Sequence, residues 1–463
     1  MMKGKHTKKK KSYLKMIMSI LLCVILIIVC VFHFKNDNED KGEDFAKYPE
    51  LVGQIASVGD ETLLIRQEDN TEYLISIAGV IDKNKGLLVG NYISIRYDGQ
   101  LDKTYKDIQD VKVKKYQVTE VKIGNRKDAV VTNDLSKIVQ NMSLEEKIAQ
   151  MFLVSCPDSQ QEEFVKNFQP GGYLLFSQDF EDYTKEDVIK KIQSYQNNSK
   201  IKMFIAVDEE GGSVVRVSQY LRKQRFQSPQ MIYSQGGYEK ITEDTKEKDE
   251  FLKDFGINLN LAPVCDVSTD PDDFMYSRTF GKDANETGQY VQTVVKQMNE
   301  DLMGGCLKHF PGYGNNTDSH YNVIHDTRSY ESIKENDFIP FQKGIEANAN
   351  MILFTHNIID DIDESVPASL SKKVHDILKE DMSFYGIIIT DDLSMAGVKQ
   401  LDSDENNAVK AIKAGNDMLI SSDANVQYQA ILEAVKNNEI SINQIDQSVL
   451  KILYYKYILK INL

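Results

Sequence analysis

Proline is scarce, at nine residues in 463, and no low-complexity tract interrupts the chain. With 41% hydrophobic and 27% charged residues, this is the composition of a folded protein rather than a fibrous or disordered one. Cysteine is scarce too: there are five, none in a CxxC pair and none at a Cys/His spacing suited to zinc. Neither a disulfide framework nor a structural zinc site is expected. Cys23 and Cys30 fall in an apolar N-terminal run, while Cys156, Cys265 and Cys306 sit in short apolar segments as small core residues. No GxGxxG or P-loop spacing follows any apolar run, which counts against a nucleotide site. Charge is unevenly spread: the first fifteen residues hold seven Lys and no acid, and the whole chain carries −15, so the remainder stands near −22. Such an acidic body repels a phosphate backbone, so nucleic acid is not an expected partner.

What is present begins with residues 16–34, an almost unbroken apolar stretch of about 19 residues, enough to cross a bilayer as a helix. Lysines precede it and the acidic residues 36–44 follow. The positive-inside tendency then predicts a single-pass anchor in the cell membrane, with the N-terminus in the cytoplasm and the rest of the chain outside. A cleaved signal peptide is the rival reading, but no small-x-small site follows the run. A lipoprotein is the third, but Leu22 and Val29 precede the two cysteines where a small residue would be needed.

The expected organisation is a Lys-rich stub and transmembrane anchor over 1–35, a tether over 36–47, a small β domain over 48–122 and a catalytic domain over 128–463. The β domain is read from period-two runs such as LVGQIASV, EYLISIA and NYISIRYDG, separated by turn signals. In the last of these, Ile93, Ile95 and Tyr97 face one way and Ser94 and Arg96 the other. Five strands of OB-like character result, acting as a spacer or as a glycan- or wall-binding module. Beyond residue 128 the rhythm changes. Ser143 and Glu146 form a capping box, and apolar runs starting at 151, 173, 203, 257, 305, 351, 386 and 417 alternate with helical patterns. Eight buried strands alternating with helices predict a (β/α)8 TIM-type barrel, although two stacked Rossmann halves would alternate similarly.

Polar residues end these runs: Asp208-Glu209-Glu210, Asp266, Lys308-His309, His356 and Asp391-Asp392. Singly, each is explained as a helix cap or a hydrogen-bonded structural residue. Together on one barrel rim they mark a site, because desolvated charges need partners. The Gly/Pro-rich loop after His309 carries Asp318 and His320 two residues apart. A carboxylate beside an imidazole orients the ring and tunes it as a proton shuttle. Metal binding through His309, Asp318 and His320 is the alternative, but no further ligand cluster completes such a site.

The segments MSLEEKIAQMF, FIAVDEEGGSVVR, NLAPVCDV, SRTFG, CLKHFPGYGNNTDSH, PASLS, IIITDDLSM and AGNDMLI resemble glycoside hydrolase family 3, in its single-barrel β-N-acetylglucosaminidase branch. The resemblance covers about residues 128–463, not the apolar N-terminal segment or the β domain. It implies a retaining exo-β-N-acetylhexosaminidase acting on terminal β-linked GlcNAc of cell-wall fragments or other glycans, without metal or organic cofactor. It further implies Asp391 as nucleophile, His320 as general acid/base oriented by Asp318, and Asp208, Arg216, Arg278, Lys308 and His309 as sugar-binding residues. A β-glucosidase or a GlcNAc phosphorylase of the same family is one alternative, and a non-catalytic glycan-binding protein another. Three positions depart from the family pattern: Tyr313 stands where many members have a second His, the 314–318 loop is one residue shorter, and Ser213 stands where an Arg is common.

Overall fold

The computed structural model describes residues 45–463 apart from 59–61, 68–70, 78–91, 102–108, 110, 121, 124–125, 128–134, 136, 320–321 and 401–405. The chain divides into two compact units, Met1–Pro49 and Glu50–Leu463. In the first, Phe45–Lys47 form one 3-10 turn.

The second unit opens with five antiparallel strands: β1 Glu50–Val58, β2 Thr62–Arg66, β3 Glu72–Ser76, β4 Tyr92–Asp98 and β5 Lys112–Glu120. Their order is β3-β2-β1-β4-β5. A parallel bridge from Ile75 to Gln109 brings the sheet's two edges together, so it curls toward the partly open barrel of an OB-type fold. The alternation works as the pleat requires: Ile93, Ile95 and Tyr97 join the core, and Ser94 and Arg96 face outward toward Glu50.

The larger architecture is a parallel sheet wrapped by helices. Its strands are β6 Phe152–Ser155, β7 Gly172–Leu175, β8 Phe204–Val207, β9 Leu259–Asn260, β10 Gly304–Gly305, β11 Leu307–Phe310, β12 Met351–Phe354, β13 Ile387–Thr390 and β14 Met418–Ser421. They lie in the order β10-β9-β8-β7-β6-β14-β13-β12-β11. Most of their residues are fully buried, because helices cover one face and interior side chains the other. The connecting helices include α1 Leu144–Gln150 before β6, α2 Lys185–Asn198 after β7, α3 Pro229–Lys253 after β8 and α4 Ala284–Asp301 after β9. The last, α5 Ile442–Ile458, follows β14. Ser143 and Glu146 form the expected reciprocal cap on α1, at 3.2 and 3.0 Å.

The expected architecture needs two corrections. The sheet has nine strands rather than eight, because the run near 305 is cut at Cys306. The Tyr455 hydroxyl from α5 takes the Gly305 N–H at 2.8 Å and donates to its C=O at 2.9 Å. A side chain thus occupies groups that a continuous ladder would use. Lys308 then bridges to Val264 beyond β9, so the sheet's two edges are consecutive pieces of chain and the barrel nearly closes. Second, a transmembrane helix is not part of the observed fold: among the described residues no helix is long and apolar enough to cross a membrane. The longest described helical stretch, α3, is broken at Gly236–Gly237 and is dense in Lys, Glu and Asp. Residues 16–34, where the anchor was expected, lie outside the described residues.

Candidate active site

At the carboxyl ends of the barrel strands a cavity of about 510 Å³ opens, lined among others by Asp208, Arg216, Arg278, Lys308, His309 and Asp391. These six residues come from four segments: the loops after β8 and β9, strand β11 itself and the turn after β13. A larger groove of about 720 Å³ runs along α3 beside Arg222, Gln227 and Met231. None of the strand-end charges lines that groove, so the chemistry belongs to the smaller cavity.

Three consecutive acids after β8 separate into three tasks. The Asp208 carboxylate accepts from Lys308 Nζ at 2.6 Å and stands 3.9 Å from the Arg216 guanidinium. Glu209 is fully buried and accepts the backbone N–H groups of Arg216 and Val217, both at 2.8 Å, as well as the Ser218 hydroxyl. That fixes the loop presenting Arg216. Glu210 accepts from Arg278 at 2.7 and 3.0 Å and pairs with Lys308 Nζ at 2.7 Å. Burial alone would raise the Glu210 pKa, but Arg278 and Lys308 outweigh it and hold the carboxyl well below its usual range. Burial likewise works against the Lys308 ammonium, yet Asp208 and Glu210 keep its pKa above the ordinary lysine value. The result is an array of paired charges whose exposed edges offer both donors and acceptors. This suits a neutral polyhydroxylated ligand better than a multiply charged one.

Asp266, buried after β9, sets His309. Its Oδ2 meets His309 Nδ1 at 2.7 Å and accepts the His309 backbone N–H at 3.2 Å, while Oδ1 accepts the Tyr313 N–H at 2.7 Å. A carboxylate only accepts here, so Nδ1 carries the proton and Nε2 faces Arg278 at 3.4 Å.

After β13, Asp391 and Asp392 behave differently. The Asp391 N–H donates to Phe354 O at 3.1 Å, and Asp391 Oδ1 accepts the Asp392 N–H at 2.8 Å. Asp392 caps the next turn through the Ser394 N–H at 2.8 Å and accepts from the Ser422 hydroxyl. His356, fully buried, lies with Nε2 at 3.1 Å from the Asp392 carbonyl and Nδ1 at 2.7 Å from the Ser369 hydroxyl. Burial lowers its pKa, so it is a neutral ring donating from Nε2 and steadying the Asp391 turn.

Of the sequence-derived set, Asp208, Arg216, Arg278, Lys308, His309 and Asp391 share the cavity. Asp318 is half-buried and not among its lining residues, and His320 lies outside the described residues. Glu210, Asp266, His356 and Asp392 were expected on the rim but given no role. Each does end an apolar run, which marks its position on the rim but not its partner.

A model of the glycosyl hydrolase family 3 N terminal domain matches residues 143–454. A beta-hexosaminidase of Methylococcus capsulatus is 30% identical over 281 residues, covering 60% of this chain and 83% of that protein. A glycoside hydrolase family 3 beta-N-acetylglucosaminidase from Paenibacillus sp. str. FPU-7 superimposes with a TM-score of 0.64 at 23% identity, over 69% of this chain and 63% of that one. A beta-N-acetylhexosaminidase from Beutenbergia cavernae gives a TM-score of 0.60 at 23% identity, over 68% of this chain and 99% of that one. The chain spans less than two thirds of the Paenibacillus structure and almost all of the Beutenbergia one. With the strand-end motifs in the matched region and the barrel beneath them, the chain belongs to glycosyl hydrolase family 3 and is a glycosidase.

Proposed function

We propose that the protein is a retaining exo-β-N-acetylhexosaminidase that removes terminal β-linked GlcNAc from cell-wall fragments or other glycans. The observation that carries this reading is the single cavity onto which Asp391 and five sugar-compatible polar residues open. The names of the relatives point to the same substrate class.

In the first step an Asp391 oxygen attacks the anomeric carbon. The C1–O bond to the leaving group breaks, and His320, oriented by Asp318, gives its proton to the departing oxygen. In the second step His320 takes a proton from water, the water oxygen attacks C1, and the glycosyl–Asp391 ester bond breaks with retention of configuration. Asp208, Lys308, Arg216, Arg278 and His309 hold the sugar so that C1 stays in reach of Asp391.

The test is nitrophenol release from aryl β-GlcNAc and aryl β-glucoside by the full chain, by Asp391→Ala and by His320→Ala. Wild type is expected to prefer β-GlcNAc. Asp391→Ala should abolish turnover, and His320→Ala should lower it by roughly 10²–10⁴-fold on a poorly activated leaving group. Preference for the glucoside removes the N-acetyl assignment, and equally fast Asp391→Ala and wild-type enzymes remove the nucleophile.

A further inference from the structure

Resting on that reading, we propose that Tyr313 is a positioning residue: its hydroxyl latches Ser319, the neighbour in sequence of the proposed acid/base, onto the Asp266–His309 base of the cavity. Tyr313 takes no part in the chemistry described above.

The ring is held on three sides. Its backbone N–H is bound to Asp266 at 2.7 Å. Its face meets the His309 ring edge-on, with centroids 5.6 Å apart, and Phe274 at 6.0 Å. Only 4% of its surface is exposed. Burial pushes the phenol up to about 12, so the hydroxyl keeps its proton through the neutral range and acts as donor and acceptor together. It accepts the Ser319 N–H at 2.9 Å and meets the Ser319 hydroxyl at 2.8 Å.

Ser319, itself buried, is engaged at every polar atom. Beyond its two contacts with Tyr313, its C=O accepts the Gly397 N–H at 3.1 Å. Gly397 lies on the short helix Ala396–Lys399, just beyond Asp391. A Cβ added there would stand 3.0 Å from the Ser319 carbonyl oxygen, so glycine permits the close approach. The peptide units on both sides of Ser319, one shared with Asp318 and the other with residue 320, are therefore tied to fixed points. One point is the Asp266–His309 base of the cavity, and the other is the segment that carries the nucleophile. Between Tyr313 and Ser319 the chain turns at Gly314, whose φ is +61°, and the loop closes on itself through the phenol.

Ser319 directly precedes the proposed acid/base in the chain, and a displacement of about 1 Å at a reacting group lowers rates by as much as 10²-fold. A loop staple with no catalytic consequence would act through stability alone. Leaving groups separate the two. Departure of a poor leaving group needs the proton, whereas a dinitrophenolate leaves without it.

The experiment compares wild type with Tyr313→Phe, which keeps the ring and removes only the hydroxyl. Measurements are kcat/KM on methylphenyl and dinitrophenyl β-GlcNAc, and amide exchange at Ser319. Tyr313→Phe is expected to lose roughly 10- to 100-fold on the poor leaving group, to change little on the activated one, and to exchange the Ser319 amide several times faster. Ser319→Ala, which keeps the N–H bond to the phenol, should show a milder version of the same split. Equal losses on both substrates, or no loss on either, overturn the positioning role. Unaltered exchange at Ser319 overturns the latch whatever the turnover. If wild type cleaves neither substrate, the specificity under Proposed function has failed, and the exchange measurement still decides the latch.

Discussion

Asp208, Glu209 and Glu210 are neighbours in sequence and carry the same charge, yet their carboxylates face a cavity, a loop backbone and two cations, buried Lys308 and half-buried Arg278. Glu210 is the most consequential of the three, because removing one partner of a buried ion cluster leaves the others uncompensated. Glu210→Gln is therefore expected to lower stability by about 3–5 kcal/mol in urea denaturation and to raise KM as Arg278 and Lys308 lose their anchor. The pH dependence has a definite sign. A carboxyl held below its unfolded pKa stabilises the fold above about pH 4.3, and this contribution is lost as pH falls further; Glu210→Gln should flatten that acid limb. Unchanged urea midpoints at pH 7 and pH 4 would contradict the cluster's role. The rim positions of Asp208, Lys308, His309 and Asp391 were legible in the sequence because each ends an apolar run. Their partners were not, since Glu210 meets Arg278 across 68 positions and Asp266 meets His309 across 43. Residue spacing carries no information at that range.

The barrel strands were legible as elements because strands covered on both faces read as unbroken apolar runs, and all eight runs form strands. The interruption at Cys306 was not, because its cause is Tyr455, 150 positions away. Local signals fared best where the structure is itself local, as in the capping box of α1, whose two bonds span three residues. Ser143→Ala should remove about 1 kcal/mol of stability in a denaturant titration while leaving kcat unaltered, because α1 precedes β6 and lies away from the cavity. A change in kcat at constant stability would mean that the helix communicates with the site.

At the scale of the whole molecule, α5 closes the barrel at the end opposite the cavity. Tyr455 reaches Gly305 at the start of the divided strand. Lys456 donates to Gln150 Oε1, just before β6, at 2.8 Å, and its ammonium stands 5.2 Å from the ring of Phe204, the first residue of β8. Conserving function at the carboxyl end and stability at the amino end is the usual division in such barrels. Lys456 is an uneconomical choice for that plug: it is fully buried, and burial pushes its pKa down to about 7. In the unfolded chain a lysine titrates near 10.4. Between about pH 7 and 10.4 the unfolded chain binds a proton that the folded one does not, so this residue makes stability rise with pH by up to about 1.4 kcal/mol per unit. Below pH 7 both states are charged, the slope vanishes and the full penalty persists. Lys456→Met keeps the length and removes the charge, at the lesser expense of leaving the Gln150 amide oxygen without its donor, about 1 kcal/mol at every pH. The variant is thus expected to gain most over wild type at pH 7 or below, to lose that advantage steadily through pH 10, and to keep wild-type kcat. Parallel urea midpoints for the two proteins from pH 7 to pH 10 would show instead that the lysine stays protonated in the barrel, its charge carried by Gln150 and the Phe204 ring.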